Sequence, residues 1–220
     1  MSGPWLGFDT TGEVLSVVVA EQSGRILAEV NRRAPRLHAS LLMPTVSDIL
    51  GLAGVTRGDI AAIVANRGPG SYTGIRIGLA ALSALSRGLG CPGYGVPGLL
   101  AAAHAAPAGT LCAGAIDARR GDVFCALYES AGPAELPREL RAPALRPFED
   151  FLRDIEGLGR PVRLFGDAVL TQPQTLADFP FAAHGPPELR ALDLVRLAHT
   201  AVKRGGLSDA LSGVPLYLRP

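Results

Sequence analysis

The chain has 220 residues, 48% hydrophobic and 19% charged, with a formal net charge of +1. That balance supplies ample apolar material for a buried core and excludes a disordered chain. It also excludes a protein that coats nucleic acid by bulk charge, while leaving room for a local basic patch. The basic residues are nearly all arginine, and Lys203 is the sole lysine. A phosphate-loop, Schiff-base or kinase-type lysine would have to be Lys203, which lies in "HTAVKRGG", where a solvated helix-end charge is expected.

In chain order, "PWLGFD" reads as a strand ending on an acid and "TTGE" as a turn. "VLSVVVAEQSGRILAEVNR" then gives two strand-like runs joined across Ser23-Gly24, so the chain opens with three antiparallel strands. "SLLMPTVSDILGLAG" has helical spacing, with Pro44 placed in its first turn. "DIAAIVANRG" is a short apolar run, as expected of a strand covered on both faces. A glycine loop and a helix from Ile75 to Leu89 follow, with Gly88 and Gly90 as the stop.

The opening has an echo. "GFDTTGEVLSVVVAE" resembles "GAIDARRGDVFCALYE": a strand ends at Asp9 or Asp117, a turn reaches Gly12 or Gly121, and a strand resumes after an acid and a valine. Two such units predict a duplicated fold, residues 1–106 and 107–220, with the C-terminal segment free to pack back on the first half. The second half continues with a helix in "FEDFLRDIEGL", a strand in "PVRLFGD" and a helix in "ALDLVRLAHTAVKRG". "AGPAELPRELRAPALRPFED" and "TQPQTLADFPFAAHGPPE" read as proline-studded connectors. This element order is that of an α/β protein of the actin/sugar-kinase-like (ASKHA) fold, two RNase H-like halves with the second reduced. Element order alone gives no function.

The loop "NRGPGSYTG" resembles a phosphate cradle without its lysine. Neither the G-x-x-x-x-G-K-[ST] nor the G-x-G-x-x-G spacing is met, since Thr73 stands where a third glycine should be. A helix terminus contributes roughly 0.3–1 kcal/mol toward an anion, whereas micromolar affinity needs about 8 kcal/mol. Gly70, Ser71 and Thr73 therefore form either a weak anion site or a tight turn in which Ser71 or Thr73 caps the helix. Asp9, Thr10 and Thr11 carry the same pair of readings: an acid and two hydroxyls that orient a metal-bound phosphate, or an Asx turn. ATP is expected to bind weakly or not at all, and no cofactor is expected to bind tightly.

Four histidines, His38, His104, His184 and His199, offer no pair three or four residues apart, so no helical metal pair is expected. Ser71 lacks a nucleophile-elbow motif. Arg119 and Arg120 fall in a turn, suited either to anion recognition or to plain solvation. Cys91, Cys112 and Cys125 form no C-x-x-C pair, which suits a reducing compartment; Cys112 and Cys125 read as core residues. No basic-then-apolar leader and no apolar run of about 20 residues is present, so a cytoplasmic protein without signal peptide or membrane contact is expected.

The first two helices are unusually apolar. Leu41, Leu42, Met43, Val46, Ile49 and Leu50 spread over an arc of about 200°. Beyond Ile75, the polar Arg76, Ser83 and Arg87 occupy only about 40°, the rest being residues such as Gly78, Leu79, Leu82 and Leu85. Helices this apolar are either buried on nearly every side within the chain or wait for a partner; the second reading gives a surface built from Leu41, Leu42, Val46, Ile49, Ile75, Gly78, Leu79, Leu82 and Leu85 that a second molecule would use.

"NRGPGSYTGIRIGLA", "GFDTTG", "DARRGDVF" and the closing "PLYLR" resemble the TsaB (YeaZ-like) family of tRNA threonylcarbamoyladenosine biosynthesis. The resemblance is specific through roughly residue 125. It implies an ASKHA fold and a non-catalytic partner of the TsaD enzyme, with the ATPase TsaE as a further partner and tRNA met only indirectly or within the complex. TsaD-like relatives carry an H-x-x-x-H metal pair; the corresponding positions in "GVPGLLAAAHA" are Gly98 and Ala102, neither of which can bind metal. The family's usual His-Ser-Glu is His38-Ala39-Ser40 here. Two competing readings are an ATPase of the actin-like fold and a metallopeptidase-like (glycoprotease) enzyme.

Overall fold

The computed structural model describes residues 3–179, the backbone of 182–184, and residues 189–205 and 214–218. The side chain of His184 and Arg219 of the closing motif lie outside the described residues. The first sheet is built from β1 (Trp5–Asp9), β2 (Val14–Ala20), β3 (Ile26–Arg33), β4 (Ala62–Asn66) and β5 (Gly93–Val96), in the order β3-β2-β1-β4-β5. The β1–β2–β3 meander is antiparallel, and β4 and β5 add in parallel beside β1. The parallel strands β1 and β4 are buried along their whole length, which explains why they read as nearly continuous apolar runs.

The second sheet repeats the plan with β6 (Leu111–Arg119), β7 (Asp122–Glu129), β8 (Arg138–Pro147), β9 (Val162–Phe165) and β10 (Ala182–His184), ordered β10-β9-β6-β7-β8. It is as wide as the first. The reduction of the second half lies instead in its helices α5 (Ala168–Thr171) and α6 (Pro173–Ala177), of four and five residues. Of the two segments read as connectors, one contains β8 and the other α6 and β10. Pro143 and Pro147 concealed β8. It is an edge strand with register shifts opposite Cys125–Tyr128, and an edge or bulge is where a strand tolerates proline.

Helices α1 (His38–Ala53) and α2 (Tyr72–Leu89) cover one face of the first sheet, where Leu42, Val46, Ile49 and Leu82 pack with Leu6, Phe8 and Ile63. Pro44 sits within α1, past its first turn, because the helix begins earlier than its apolar spacing indicates. α2 ends on Gly90, which takes the left-handed cap conformation at φ 65°, while Gly88 is still helical. The other face is covered by α7 (Ala191–Arg204), whose Ala191, Leu194, Val195 and Ala198 pack with Trp5, Val18 and Val64. Thus a helix from the end of the chain completes the core of the first sheet. α3 (Gly98–His104) packs on α7 and places Leu99 and Ala103 against Cys112, Ala126 and Phe165 of the second sheet. The outer face of that sheet is closed by α4 (Phe148–Glu156) with α5 and α6. Two sheets thus enclose a central helical layer and carry a helical layer outside each.

This packing corrects the partner-surface expectation. Leu42, Val46, Ile49, Ile75 and Leu82 are at most 4% exposed in the single chain, and Gly78 is buried against Thr10. None of them can face a second molecule. Leu41, Leu79 and Leu85 are half-buried on the same core. The wide apolar arc is spent on the sheet and on the neighbouring helix.

Candidate functional site

The glycine loop sits against the β1–β2 turn. Asp9 is 2% exposed, and both of its carboxylate oxygens are engaged. Oδ1 accepts from the Thr11 backbone N–H and hydroxyl, each at 2.7 Å, and Oδ2 accepts from Asn66 Nδ2 at 2.9 Å. Asn66 Nδ2 also reaches Thr11 Oγ1 at 2.8 Å, and its Oδ1 accepts the Gly68 N–H at 2.9 Å. Burial pushes the Asp9 carboxyl above its ordinary value, against the lowering pull of these donors. The Thr11 N–H bond to Asp9 Oδ1 is that of an Asx turn. Asn66, the single polar residue closing an apolar strand, was missed, although a polar residue in that position is a readable signal.

The glycines are explained by the same turn. A Cβ on Gly70 would lie 2.8 Å from the Thr11 carbonyl oxygen, and one on Gly74 only 2.0 Å from that of Thr10. The Ser71 N–H donates to the Thr11 carbonyl at 2.8 Å, and Thr10 Oγ1 donates to the Gly74 carbonyl at 2.7 Å. Of the two proposed caps it is Ser71 that acts, its Oγ accepting the Gly74 N–H at 3.2 Å, while Thr73 is exposed and lines the cleft between the halves. The glycine loop thus packs on the backbone of the β1–β2 turn, and Thr11, Gly70, Ser71, Thr73 and Gly74 also line this open cleft.

Between the halves lies an open cleft of about 1240 Å³, lined among others by Arg36, His38, Tyr72, Asp117, Arg119 and Tyr217. Asp117 lines it from the second half, where its backbone N–H donates to Asp167 Oδ1 at 2.7 Å. Burial raises Asp167 to about 6. Asp167 was not singled out from sequence, yet "LFGD" ends a strand on an acid just as "GFD" does. Arg119 lies 3.4 Å from Asp117, and both Arg119 and Arg120 are exposed in the turn at positive φ.

His104 is buried with Nε2 3.2 Å from Thr200 Oγ1, and His199 stands edge-on to Trp5. Cys112 and Cys125 are buried thiols, which burial raises to about 11. No group of three metal-ligating side chains occurs among the described residues, and no helix there is long and apolar enough to cross a membrane. Gly98 leaves no room for a ligand: a Cβ there would meet Asn66 Nδ2 at 2.5 Å.

The family model described as TsaD, tRNA N6-adenosine threonylcarbamoyltransferase, matches residues 20–159. The Escherichia coli K12 tRNA threonylcarbamoyladenosine biosynthesis protein TsaB is 38% identical over 127 residues, covering 56% of this chain and 54% of that protein. A crystal structure of a Pseudomonas aeruginosa protein with similarity to peptidase YEAZ superposes with a TM-score of 0.79 at 30% identity, covering 99% of this chain and 100% of that one. The chain belongs to the TsaB/YeaZ family. Its match spans about half the length of the curated TsaB relative. The Clostridium difficile activator of 2-hydroxyisocaproyl-CoA dehydratase, solved with bound ADPNP, superposes with a TM-score of 0.56 at 12% identity, covering 92% of this chain and 96% of that one. That likeness shows the ASKHA fold alone.

Proposed function

We propose that the chain is a non-catalytic subunit that supports threonylcarbamoyl transfer to adenosine of tRNA by a TsaD-like paralogue. The observation that carries this reading is the engagement of both Asp9 carboxylate oxygens by the protein's own donors. Asp9 is consumed by Thr11 and Asn66, and Gly70 and Gly74 abut the backbone of Thr10 and Thr11. A metal-bound phosphate would have to break that network, so the isolated chain holds ATP weakly or not at all. Gly98 and Ala102 at the positions of the family's metal pair support the same reading.

The partner face we infer is the outward side of the first two helices: Met43, Ser47 and Leu52 on α1 with Ala80 and Ala84 on α2 are all exposed. Small side chains on α2 permit close helix approach, and a shared fold lets a paralogue or a second copy use the same face. A homodimer in isolation and a TsaE-like ATPase as further partner belong to this proposal. The test is a pull-down of a TsaD-like paralogue with the wild-type chain and with Ala84→Arg. The wild type is expected to bind, and the variant to keep its melting temperature but lose more than about a hundredfold in affinity, because a charge is desolvated without a partner. A variant that binds as well as wild type refutes the face; a wild type that does not bind refutes the function.

A further inference from the structure

At the mouth of the cleft, two tyrosines far apart in the sequence meet. Their rings, Tyr72 at the start of α2 and Tyr217 in the C-terminal segment, lie with centroids 5.0 Å apart, tilted by 36°. They are 59% and 42% exposed, so their ring faces are open to solvent at the cleft. The Arg76 guanidinium lies 5.3 Å from the Tyr72 ring centre. The C-terminal segment is held in place by the Leu216 N–H, which donates to the Arg67 carbonyl at 2.8 Å, and by Leu218, which packs on the core beside the second sheet.

Arginines border this aromatic pair from both halves. Arg36 and Arg119 line the same cleft, are exposed, and adopt φ of 64° and 72°. A glycine at either position would relieve the backbone strain, so folding alone does not call for arginine there. Arg36 and Arg76 enter no ion pair among the described residues, and Glu13, the acid on the first-half side of the cleft, is paired with Arg33 at 2.8 Å.

We propose that this cleft mouth is a binding surface for single-stranded RNA, with Tyr72 and Tyr217 stacking a base and Arg36, Arg76 and Arg119 meeting the flanking phosphates. Base stacking on exposed aromatics combined with cationic phosphate contacts is the general physics of single-strand binding. A strand fits better than a mononucleotide, because the cleft is about 1240 Å³ and carries arginines from both halves, Arg36 and Arg119, beside the stacked tyrosines. The inference deepens the tRNA reading given above and rests on it for the choice of RNA.

The experiment is fluorescence anisotropy of a labelled oligoadenylate of about ten nucleotides, titrated with the full chain at low salt. Saturable binding with a dissociation constant of about 1–100 µM, weakening as salt rises, is expected. Tyr72→Ala should weaken it about tenfold. The double variant Arg36→Gly with Arg119→Gly should also weaken it about tenfold yet melt no lower than wild type, which separates a binding role from a folding one. Absence of saturable binding, retention of wild-type affinity in the double variant, or displacement of the RNA by equimolar ATP would each overturn the proposal. A chain that fails here but still captures the TsaD-like paralogue loses only this inference. One that binds RNA but not the paralogue loses the scaffold reading instead.

Discussion

The two hairpins that open the halves place an aspartate near the end of their first strand and treat it in opposite ways. Asp9 is sealed: Thr11 and Asn66 take its oxygens, and the glycine loop closes over the turn. Asp117 remains at the cleft wall, where its Oδ1 accepts only the Arg119 N–H at 2.9 Å and a long contact from Gln172 at 3.4 Å. The difference has a physical source in the loop that leaves each sheet's parallel strand. Both junctions bring a glycine to backbone distance, Gly74 against Thr10 and Gly166 against Ala115, but after β4 the neighbouring polar side chain is the Asn66 amide, whereas after β9 it is a second carboxylate, Asp167. The same hairpin can be a structural knot or a cleft wall, depending on its neighbour.

The seal is most sharply tested at Gly74. Gly74→Ala places a methyl 2.0 Å from the Thr10 carbonyl oxygen, and a loss of about 4 kcal/mol or outright failure to fold is expected in thermal or urea denaturation. In the turn of the second-half hairpin, by contrast, Gly121→Ala meets no neighbouring atom and suffers only from its φ of 87°, at about 1 kcal/mol. Comparable losses for the two would erase the contrast.

Next in size is removal of the aspartates. Asp9→Ala strands the Thr11 N–H and the Asn66 amide in a buried site and should cost about 3 kcal/mol. Asp117→Ala should cost less than about 1 kcal/mol, because its partners reach water. Urea midpoints of the two variants, measured side by side, decide the matter.

The smallest effect concerns the second carboxylate of the cleft. Burial raises Asp167 to about 6 from an ordinary 3.8, so the folded chain keeps a proton that the unfolded chain releases over that interval. Stability is therefore lost as pH rises from about 4 to 6. Asp167→Asn keeps an oxygen for the Asp117 N–H and should be more stable than wild type at pH 7 by roughly 1–3 kcal/mol, with the gap closing below about pH 4. A gap independent of pH would show that the carboxyl does not titrate as described.

The strands and helices of the first half were legible because apolar period and capping residues agree there, and the hairpin echo disclosed the duplication. Three things were hidden. β8 looked like a connector because Pro143 and Pro147 suit an edge strand as readily as a loop. Leu42 and Leu82 looked partner-facing because a helical wheel cannot tell burial against a sheet from burial against another chain. The cleft residues Arg36, Tyr72, Asp167 and Tyr217 are scattered over the length of the chain, and only the fold gathers them. Asp9, Thr10, Thr11, Gly70 and Ser71 were legible from their residue types, and the fold brings the β1–β2 turn and the glycine loop into contact.

The scaffold role is tested most directly by reconstitution: threonylcarbamoyladenosine formed on tRNA, measured by mass spectrometry of the released nucleosides, with this chain, a TsaD-like paralogue, or both, each supplied with a threonylcarbamoyl donor and a TsaE-like ATPase. The account predicts no product from this chain without the paralogue and efficient modification when the two are combined. Product from this chain without the paralogue, or a yield from the pair no greater than from the paralogue by itself, would contradict it.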